Sequence, residues 1–297
     1  MQYSWLVALA TALPLTVASG QQKVDVRHAA SPDIGLRIVG GFAKLRIIGW
    51  SKDSVTVTGV LPKEARFEAY FGGSATQPAK GAKMYIEAPN DQPASLSGAL
   101  EIHLPAKARV WAKSGNAEII VESVTGSLDI NIVGGSVHVT GNPRELNVES
   151  MDGGITVDGS PEWVRLKTAA GDIAMTGGST DAAFTSVSGA IRVNDGTLDR
   201  TRFETVTGAI SFAGEVARGG SFTFDTHSGT IDIRLNPKAN VEVDAASLAG
   251  SIENQLRDRR PLPGREGRGQ ELSLTLGSGG AHMTIRSYKS NIRLGYR

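Results

Sequence analysis

Arginine is concentrated in one short segment near the C-terminal end of the chain, residues 256–268. Five arginines stand there against only Asp258 and Glu266, which gives the segment a charge of +3. A guanidinium presents its N–H donors in a planar fork that matches carboxylate, sulfate and phosphate groups. The segment is therefore a candidate contact for acidic glycans or lipid headgroups, although a mobile solubilising loop has the same composition. The five residues are Arg257, Arg259, Arg260, Arg265 and Arg268.

Asp232 and Glu253 offer a second kind of chemistry. Each stands three places after a glycine in a repeating phrase, so the two could be neighbours on adjacent turns of a repeat structure, with Arg234 nearby. Two acids on one outer face could bind calcium or act as acid and base, because glycosidases use a pair of carboxyl groups. A solvated charged surface is the simpler interpretation, and the sequence leaves both open.

Composition excludes most other chemistry. The chain of 297 residues has no cysteine, which excludes disulfides, thiolate metal sites and cysteine nucleophiles. Its five histidines follow no zinc-binding pattern, and the sequence has neither a nucleophile elbow nor a phosphate-binding glycine loop. With 31 basic and 30 acidic residues, the formal net charge is +1, which argues against a nucleic-acid binder. We therefore expect no cofactor, no metal, no catalytic residue and no nucleic-acid partner.

One short phrase recurs along the chain: glycine, a small residue, Ile or Val, any residue, and an apolar residue. From Gly135 onward its glycines step by 18, 18, 18, 19, 21 and 21 residues, whereas Gly126 precedes Gly135 by only 9. A full repeat therefore holds two strands. The glycines that begin the phrase are Gly126, Gly135, Gly153, Gly171, Gly189, Gly208, Gly229 and Gly250.

Apolar residues, mostly β-branched or aromatic, alternate with polar ones in both halves of the repeat, which is typical of strands with one buried face. Two short strands cannot bury that face alone, so successive repeats must stack. The sequence therefore predicts an all-β fold, a β-solenoid of 18–21-residue two-strand repeats that resembles a right-handed β-helix. An antiparallel meander or a sandwich of hairpins is the competing fold, but equivalent positions over seven repeats favour the solenoid.

A hydroxyl residue stands three places before most of these glycines. Such a row could supply a nucleophile or a glycan contact. A catalytic residue, however, differs from the residues at the same position in the other repeats, whereas a hydroxyl recurs at this position in seven of them. We therefore expect the hydroxyls to satisfy backbone groups at a tight corner. The residues are Ser123, Ser150, Thr168, Ser186, Thr205, Thr226 and Ser247.

The repeat is regular over 113–297, whereas 21–112 fits the period poorly and is expected to be an irregular first portion or a small β-cap. We expect 21–297 to be one continuous domain. After Gly250 the step lengthens to 30 residues, because the arginine-rich segment lies there. The segment 292–297 is expected to be a closing strand whose arginines discourage end-to-end stacking.

Residues 1–20 contain no charged side chain and run apolar from Trp5 to Ala18, with small residues following. This pattern is typical of a cleaved secretory signal peptide. A membrane anchor is the alternative, but Pro14 interrupts a stretch that is short for a span of about 20 residues. No later apolar run is long enough to cross a bilayer, so we expect an exported mature chain without a transmembrane span. Its location would be the periplasm, the cell surface or the medium.

The segment 45–59, followed by tandem Ser/Thr-x-x-Gly-x-Ile-x-Val units, resembles the bacterial putative-adhesin family of β-strand-repeat proteins, whose function is unknown. The resemblance covers roughly 40–297. It implies an exported β-solenoid without established catalytic residues, so no functional residue is carried over. The chain departs from the simplest members through its arginine-rich segment and its long segment 60–98.

These observations predict an exported, non-enzymatic, adhesin-like protein that binds through its solenoid face. Envelope or extracellular polysaccharide, or another surface protein, would be the partner. Two other classes stay open. A polysaccharide-active enzyme on a β-helix requires an acid cluster such as Asp232 and Glu253 in a groove. A structural or envelope-stress scaffold requires uncapped ends that allow filaments. The sequence does not indicate the oligomeric state.

Overall fold

The computed structural model of the protein describes residues 20–40, 44–73, 77–88, 98–264 and 267–297. The predicted signal peptide lies outside these ranges except for Gly20. The described residues form 22 β-strands and no α-helix, and accordingly contain no helix that could cross a membrane. The all-β class predicted from the sequence is therefore confirmed.

The strands follow one another along the chain with short connections. They are β1 (Gln21–Gly40), β2 (Lys44–Trp50), β3 (Ser54–Pro62), β4 (Arg66–Gly72), β5 (Ala79–Glu87), β6 (Ala99–Pro105), β7 (Arg109–Glu122), β8 (Ser127–Thr140), β9 (Glu145–Ser150), β10 (Gly154–Asp158), β11 (Trp163–Thr168), β12 (Ile173–Thr176), β13 (Ser179–Ser186), β14 (Ile191–Thr205), β15 (Ile210–Thr226), β16 (Ile231–Leu235), β17 (Val241–Ser247), β18 (Ile252–Asn254), β19 (Leu262–Pro263), β20 (Gln270–Leu276), β21 (Ala281–Ser287) and β22 (Ile292–Tyr296).

Each repeat, here called a coil, contributes one strand to each of two faces that enclose the core. Face A contains the strands that start at the glycine phrase, such as β10 and β12. Face B contains the strands that precede it, such as β9 and β11. Equivalent positions of successive coils pair in parallel, so that Ile155 stands opposite both Val137 and Ile173. Gly126 begins a face B strand, because Leu128 pairs with Leu146, and this explains its half-period spacing.

The interior consists of columns of apolar side chains that run across the coils, and each coil contributes one side chain to each column. Three phenylalanines illustrate how such a column packs. The ring centroids of Phe184 and Phe203 are 5.0 Å apart, and those of Phe203 and Phe224 are 4.5 Å apart at an interplanar angle of 7°. All three rings are fully buried, which makes stacked aromatic area a substantial part of the stabilisation in this region.

Four members of the hydroxyl row, Thr168, Thr205, Thr226 and Ser247, satisfy backbone groups at the corner between face B and face A, as expected, whereas the buried hydroxyls of Ser150 and Ser186 have no partner among the described residues. The oxygen of Thr205 accepts a hydrogen bond from the N–H of Gly208 at 2.9 Å, and Thr226 and Ser247 accept in the same way three residues ahead. The placement of Ser123 was wrong. That residue is exposed, with φ +57°, at the opposite corner, and Ser114 takes its place in the row.

The last coil of the chain is not the last coil of the stack. Strand β21 lies on face B between β15 and β17, and β22 lies on face A between β16 and β18. The chain therefore skips one level after β16, builds the coil of β17 and β18, and returns to fill the gap. The expected closing strand 292–297 is thus an interior strand, with Ile292 and Leu294 buried.

The N-terminal end of the stack is built in the same way. The second half of β1 lies on face B between β7 and β5, and β2 lies on face A between β7 and β6. An early segment of the chain is therefore enclosed by later ones. The N-terminal end finishes in antiparallel strands on both faces, β4 on β5 and β3 on β6. At the C-terminal end β20 lies antiparallel on β17 on face B, whereas β18 on face A pairs in parallel with β22.

Candidate binding surfaces

The arginine-rich segment lies at the C-terminal end of face B and is held by hydrogen bonds from the end of β18. The side-chain amide of Asn254 donates to the carbonyl oxygen of Arg257 at 3.1 Å and to that of Arg259 at 2.8 Å. These bonds fix the backbone of the segment against the stack.

Two of the five predicted arginines, Arg259 and Arg260, line a cavity of about 510 Å³ on face B. Arg257 and Arg268 do not line it, and Arg265 lies outside the described residues. A third guanidinium, that of Arg286 on the inserted strand β21, completes the cationic lining. Sequence reasoning missed Arg286, because nothing in the sequence indicated that β21 would enter the stack beside β17.

The same cavity also has acidic and apolar walls. Asp244 and Glu271 contribute carboxylates, and the side chain of Leu262 is 63% exposed at its margin. None of the ion pairs formed among the described residues involves Arg259, Arg260 or Arg286. Arg286 stands opposite Asp225 on β15, so within the described residues Arg259 and Arg260 are the cations of this cavity that do not stand opposite a carboxylate on a paired strand.

Asp232 and Glu253 are not stacked neighbours, contrary to the expectation from the sequence. Arg293 stands opposite both of them, since β22 lies between their strands. The Nε atom of Arg293 is 3.2 Å from the Glu253 carboxylate, and Nε of Arg234 is 2.7 Å from that of Asp232. The hydrogen bond to Asp232 raises the pKa of the Arg234 guanidinium above its ordinary value. Both acids are therefore engaged in a charge ladder on face A.

The histidines take structural positions on the surface. His138 and His282 lie 3.4 Å and 3.9 Å from single carboxylates, those of Asp158 and Asp244. The ring of His227 stacks on Tyr288 with centroids 4.9 Å apart. Within the described residues, no three side chains of the His, Asp or Glu type are arranged to hold a metal ion.

One surface feature was not foreseen: an apolar ridge along the corner that follows the hydroxyl row. The residue directly after the hydroxyl position of each coil points outward, and several of these side chains are large and about half exposed; in one coil Ile132 occupies the hydroxyl position. The larger apolar members are Val133, Met151, Val187, Val206, Leu248 and Tyr288. The alternation rule predicts polar residues there, so only comparison of the same position in every coil could have revealed the ridge.

The chain is similar to three solved bacterial structures at 10–13% identity. A putative cell adhesion protein from Clostridium sporogenes shares 12% identity, with 93% of this chain and 100% of that chain covered and a TM-score of 0.30. A putative adhesin from Bacteroides fragilis shares 10%, with 92% and 97% covered and a TM-score of 0.38. A putative lipid binding protein from Parabacteroides distasonis shares 13%, with 93% and 97% covered and a TM-score of 0.43.

No curated protein matches the chain. The family described as Toastrack DUF4097 matches residues 51–294, which is most of the sequence and includes every coil from β7 onward. The resemblance expected from the repeated phrase is thereby confirmed, and the chain belongs to the Toastrack DUF4097 family.

Proposed function

We propose that this protein is an exported, non-enzymatic binding protein that contacts anionic groups of the cell envelope through face B. The observation that carries the proposal is the cavity in which Arg259 and Arg260 meet Arg286 without ion-pair partners among the described residues. Arginine forks bind carboxylate and phosphate groups in two-pronged geometry, which suits acidic polysaccharide or lipid headgroups.

We also propose that the stacked coils form one β-solenoid domain over 21–297, right-handed like a β-helix, which is exported to the periplasm, the cell surface or the medium after cleavage near Gly20. Parallel pairing of equivalent positions supports the solenoid, and the uncharged apolar N-terminus supports export. An experimental structure tests the handedness. Mass spectrometry of the mature protein from cell fractions tests the cleavage and the location.

The two alternatives have less support. Polysaccharide cleavage loses its candidate pair, because Arg293 separates Asp232 from Glu253. An end-to-end scaffold would need parallel edges open at both ends of the stack, whereas at the N-terminal end β4 and β3 cover both faces with antiparallel strands and at the C-terminal end β20 covers face B. Natural proteins commonly cover the exposed edges of their sheets in this way, because an open edge can pair with another chain.

The test is binding of the purified protein to a panel of acidic and neutral polysaccharides and of anionic and zwitterionic lipid vesicles. The double variant Arg259→Gln/Arg260→Gln should lose most of the retention by anionic probes. The matched control, Arg257→Gln/Arg268→Gln, removes the same charge from the same segment outside the cavity and should retain most of it. Retention by no probe, or equal loss in both variants, would contradict the proposal. Release of new reducing ends would restore the enzyme alternative.

A further inference from the structure

A second cavity, of about 840 Å³, lies at the opposite, N-terminal end of face B. Its lining comes from four segments that are distant in the sequence, namely strands β1, β4, β5 and β7, with β8 at its margin. Aromatic and cationic side chains dominate its walls. The sequence assigned no role to any of them, and the function proposed above does not use them.

The floor of this cavity is backbone, because three glycines stand side by side at outward positions. Gly35 pairs with Gly81, and Gly81 pairs with Gly72. A Cβ atom added to Gly35 or Gly81 would meet no atom closer than 3.9 or 3.8 Å, and neither residue has a left-handed backbone. The fold does not require glycine there, so the missing side chains serve to make the surface concave.

The wall beside the floor is a row of outward side chains on adjacent strands. Tyr70, Lys83, Arg37 and Trp111 follow one another in this order. With neighbouring strands about 4.8 Å apart, the two aromatic residues stand about 14 Å apart with two cations between them. The guanidinium carbon of Arg37 lies 4.2 Å from the centroid of the Trp111 ring, which fixes the orientation of both groups.

The tyrosine is also held in place. Its hydroxyl donates a hydrogen bond of 2.7 Å to the carboxylate of Glu68, whose pKa this bond lowers while the pKa of Tyr70 is raised. The ring itself is 55% exposed. Aromatic side chains of this kind commonly line ligand sites.

The cations of this cavity have no acidic partner in the part of the chain that the structure describes. Neither Arg37, Lys83 nor Arg109 takes part in an ion pair there, whereas most other arginines of the two faces do. The one carboxylate in the lining, Asp129, accepts hydrogen bonds of 2.8 and 3.1 Å from the amides of Asn131 and Asn147 instead. The lining of the cavity therefore contains three cationic side chains and one carboxylate, and that carboxylate is hydrogen-bonded to two asparagine amides.

We propose that this cavity binds a carboxylated sugar chain, laid across the strands so that its rings contact Tyr70 and Trp111 and its carboxylates meet Lys83, Arg37 and Arg109. Aromatic side chains with a polar handle suit the mixed apolar and polar faces of a sugar, and the cations suit its acids. The inference rests on the proposed function in taking an acidic polysaccharide as partner, but it places a separate contact at the other end of face B.

The experiment is isothermal titration of the purified protein with polygalacturonate oligomers, and with neutral dextran oligomers of matched length. Gly81→Leu should fill the floor, and Arg37→Gln should remove one cation together with its contact on the Trp111 ring. Each should weaken polygalacturonate binding about tenfold or more, the loss expected for a charge-assisted contact. Two controls, Ala174→Leu on face A and Lys107→Gln outside the cavity, should remain within about twofold.

Circular dichroism and thermal unfolding establish that each variant is folded; should Gly81→Leu fail to fold, Arg37→Gln at an exposed position decides the outcome. Unchanged binding in Arg37→Gln and in folded Gly81→Leu overturns the inference. So does equal binding of dextran, or no binding of polygalacturonate by the unchanged protein. If Arg259→Gln/Arg260→Gln alone loses polygalacturonate, the proposed function stands and this cavity is not the site. If Gly81→Leu and Arg37→Gln alone lose it, this cavity is the site and the arginine-rich segment is not.

Discussion

Asp232 and Arg293 stand opposite each other on adjacent parallel strands, although residues 233–292 separate them in the sequence. On its other side Arg293 pairs with Glu253. Without the inserted strand, two acids would occupy neighbouring coils and repel each other. With it, charge alternates along face A, which favours close stacking of the coils and leaves no reactive pair of carboxyl groups.

Because β22 is an interior strand, a substitution near the end of the chain should be as costly as one in the middle. We expect Leu294→Ala, at a side chain that is 2% exposed, to lower the free energy of unfolding by about 2–4 kcal/mol. Leu262→Ala is the control, since that side chain is 63% exposed and should cost less than about 0.5 kcal/mol. Urea unfolding measures both. Equal and small effects would show that β22 does not pack in the stack.

The glycines of the repeated phrase are required because successive coils approach each other closely at the corner. A Cβ on Gly189 would lie 1.9 Å from the carbonyl oxygen of Gly171, so Gly189→Ala should destabilise by about 3 kcal/mol or more. Gly154, whose Cβ would meet no atom within 3.7 Å, provides the matched control. Gly154→Ala should stay within about 0.5 kcal/mol. Thermal unfolding compares the two, and a tolerated Gly189→Ala would contradict the stacked register.

Some hydroxyls of the row should contribute to the free energy of unfolding, and others should not. Thr205→Val removes the acceptor of the Gly208 N–H and should cost about 1–2 kcal/mol, the penalty of a buried unsatisfied donor. Ser186, in the same row, has a buried hydroxyl without a partner among the described residues, so Ser186→Ala should be neutral or slightly stabilising. Chemical denaturation of the two variants checks this. A larger loss for Ser186→Ala would assign that hydroxyl a role the structure does not show.

Two aspartates should respond to pH with opposite signs. Burial raises the pKa of Asp225 above the ordinary 3.8, a shift that Arg286 and Arg202 oppose and Glu204 supports. A raised pKa means that the folded state prefers the protonated acid, so stability is lost as pH rises through the folded pKa. Asp225→Asn should therefore be more stable than the unchanged protein at pH 7, and the difference should vanish below the ordinary value.

Asp172 provides the comparison. Its pKa is lowered, first by the hydrogen bond from Arg192 and then by the N–H of Ala190, so its stabilising effect is present at neutral pH and lost in acid. Asp172→Asn should be less stable than the unchanged protein at pH 7 and equal to it at low pH. Unfolding curves of both variants between pH 3 and pH 7 test the pair. Differences of the same sign in the two variants would refute this assignment.

The regular part of the fold could be predicted because every coil repeats the same local requirements. A residue such as Ile155 must be apolar to enter the core, and Gly171 must lack a side chain to pass the corner below it. These demands recur at a constant spacing, so they are visible in the sequence. Ser123 shows the limit of spacing alone, since it precedes a glycine by the right number of residues but lies at the other corner.

The order of the coils could not be predicted from the sequence. Because one residue of the candidate site lies on the inserted coil, the prediction of that site was incomplete. Ile292 and Leu294 carry the same pattern as any other coil, so their place depends on which open edges they meet. Arg286 reaches the cavity of Arg259 only through that placement. The cavity at the N-terminal end has the same origin, because Arg37 and Trp111 become neighbours only when β1 enters beside β7.

The insertion of β21 and β22 also determines when folding can finish. Synthesis delivers β17 and β18 before the two strands that separate them from β15 and β16. If the coils form in the order of the sequence, a gap one coil wide therefore remains between β16 and β18. The hydrogen-bonding edges of these two strands that face the gap stay unpaired until the last residues have been synthesised. Contacts of such long sequence separation close slowly. We therefore expect this final coil to complete the C-terminal end of the stack late in folding.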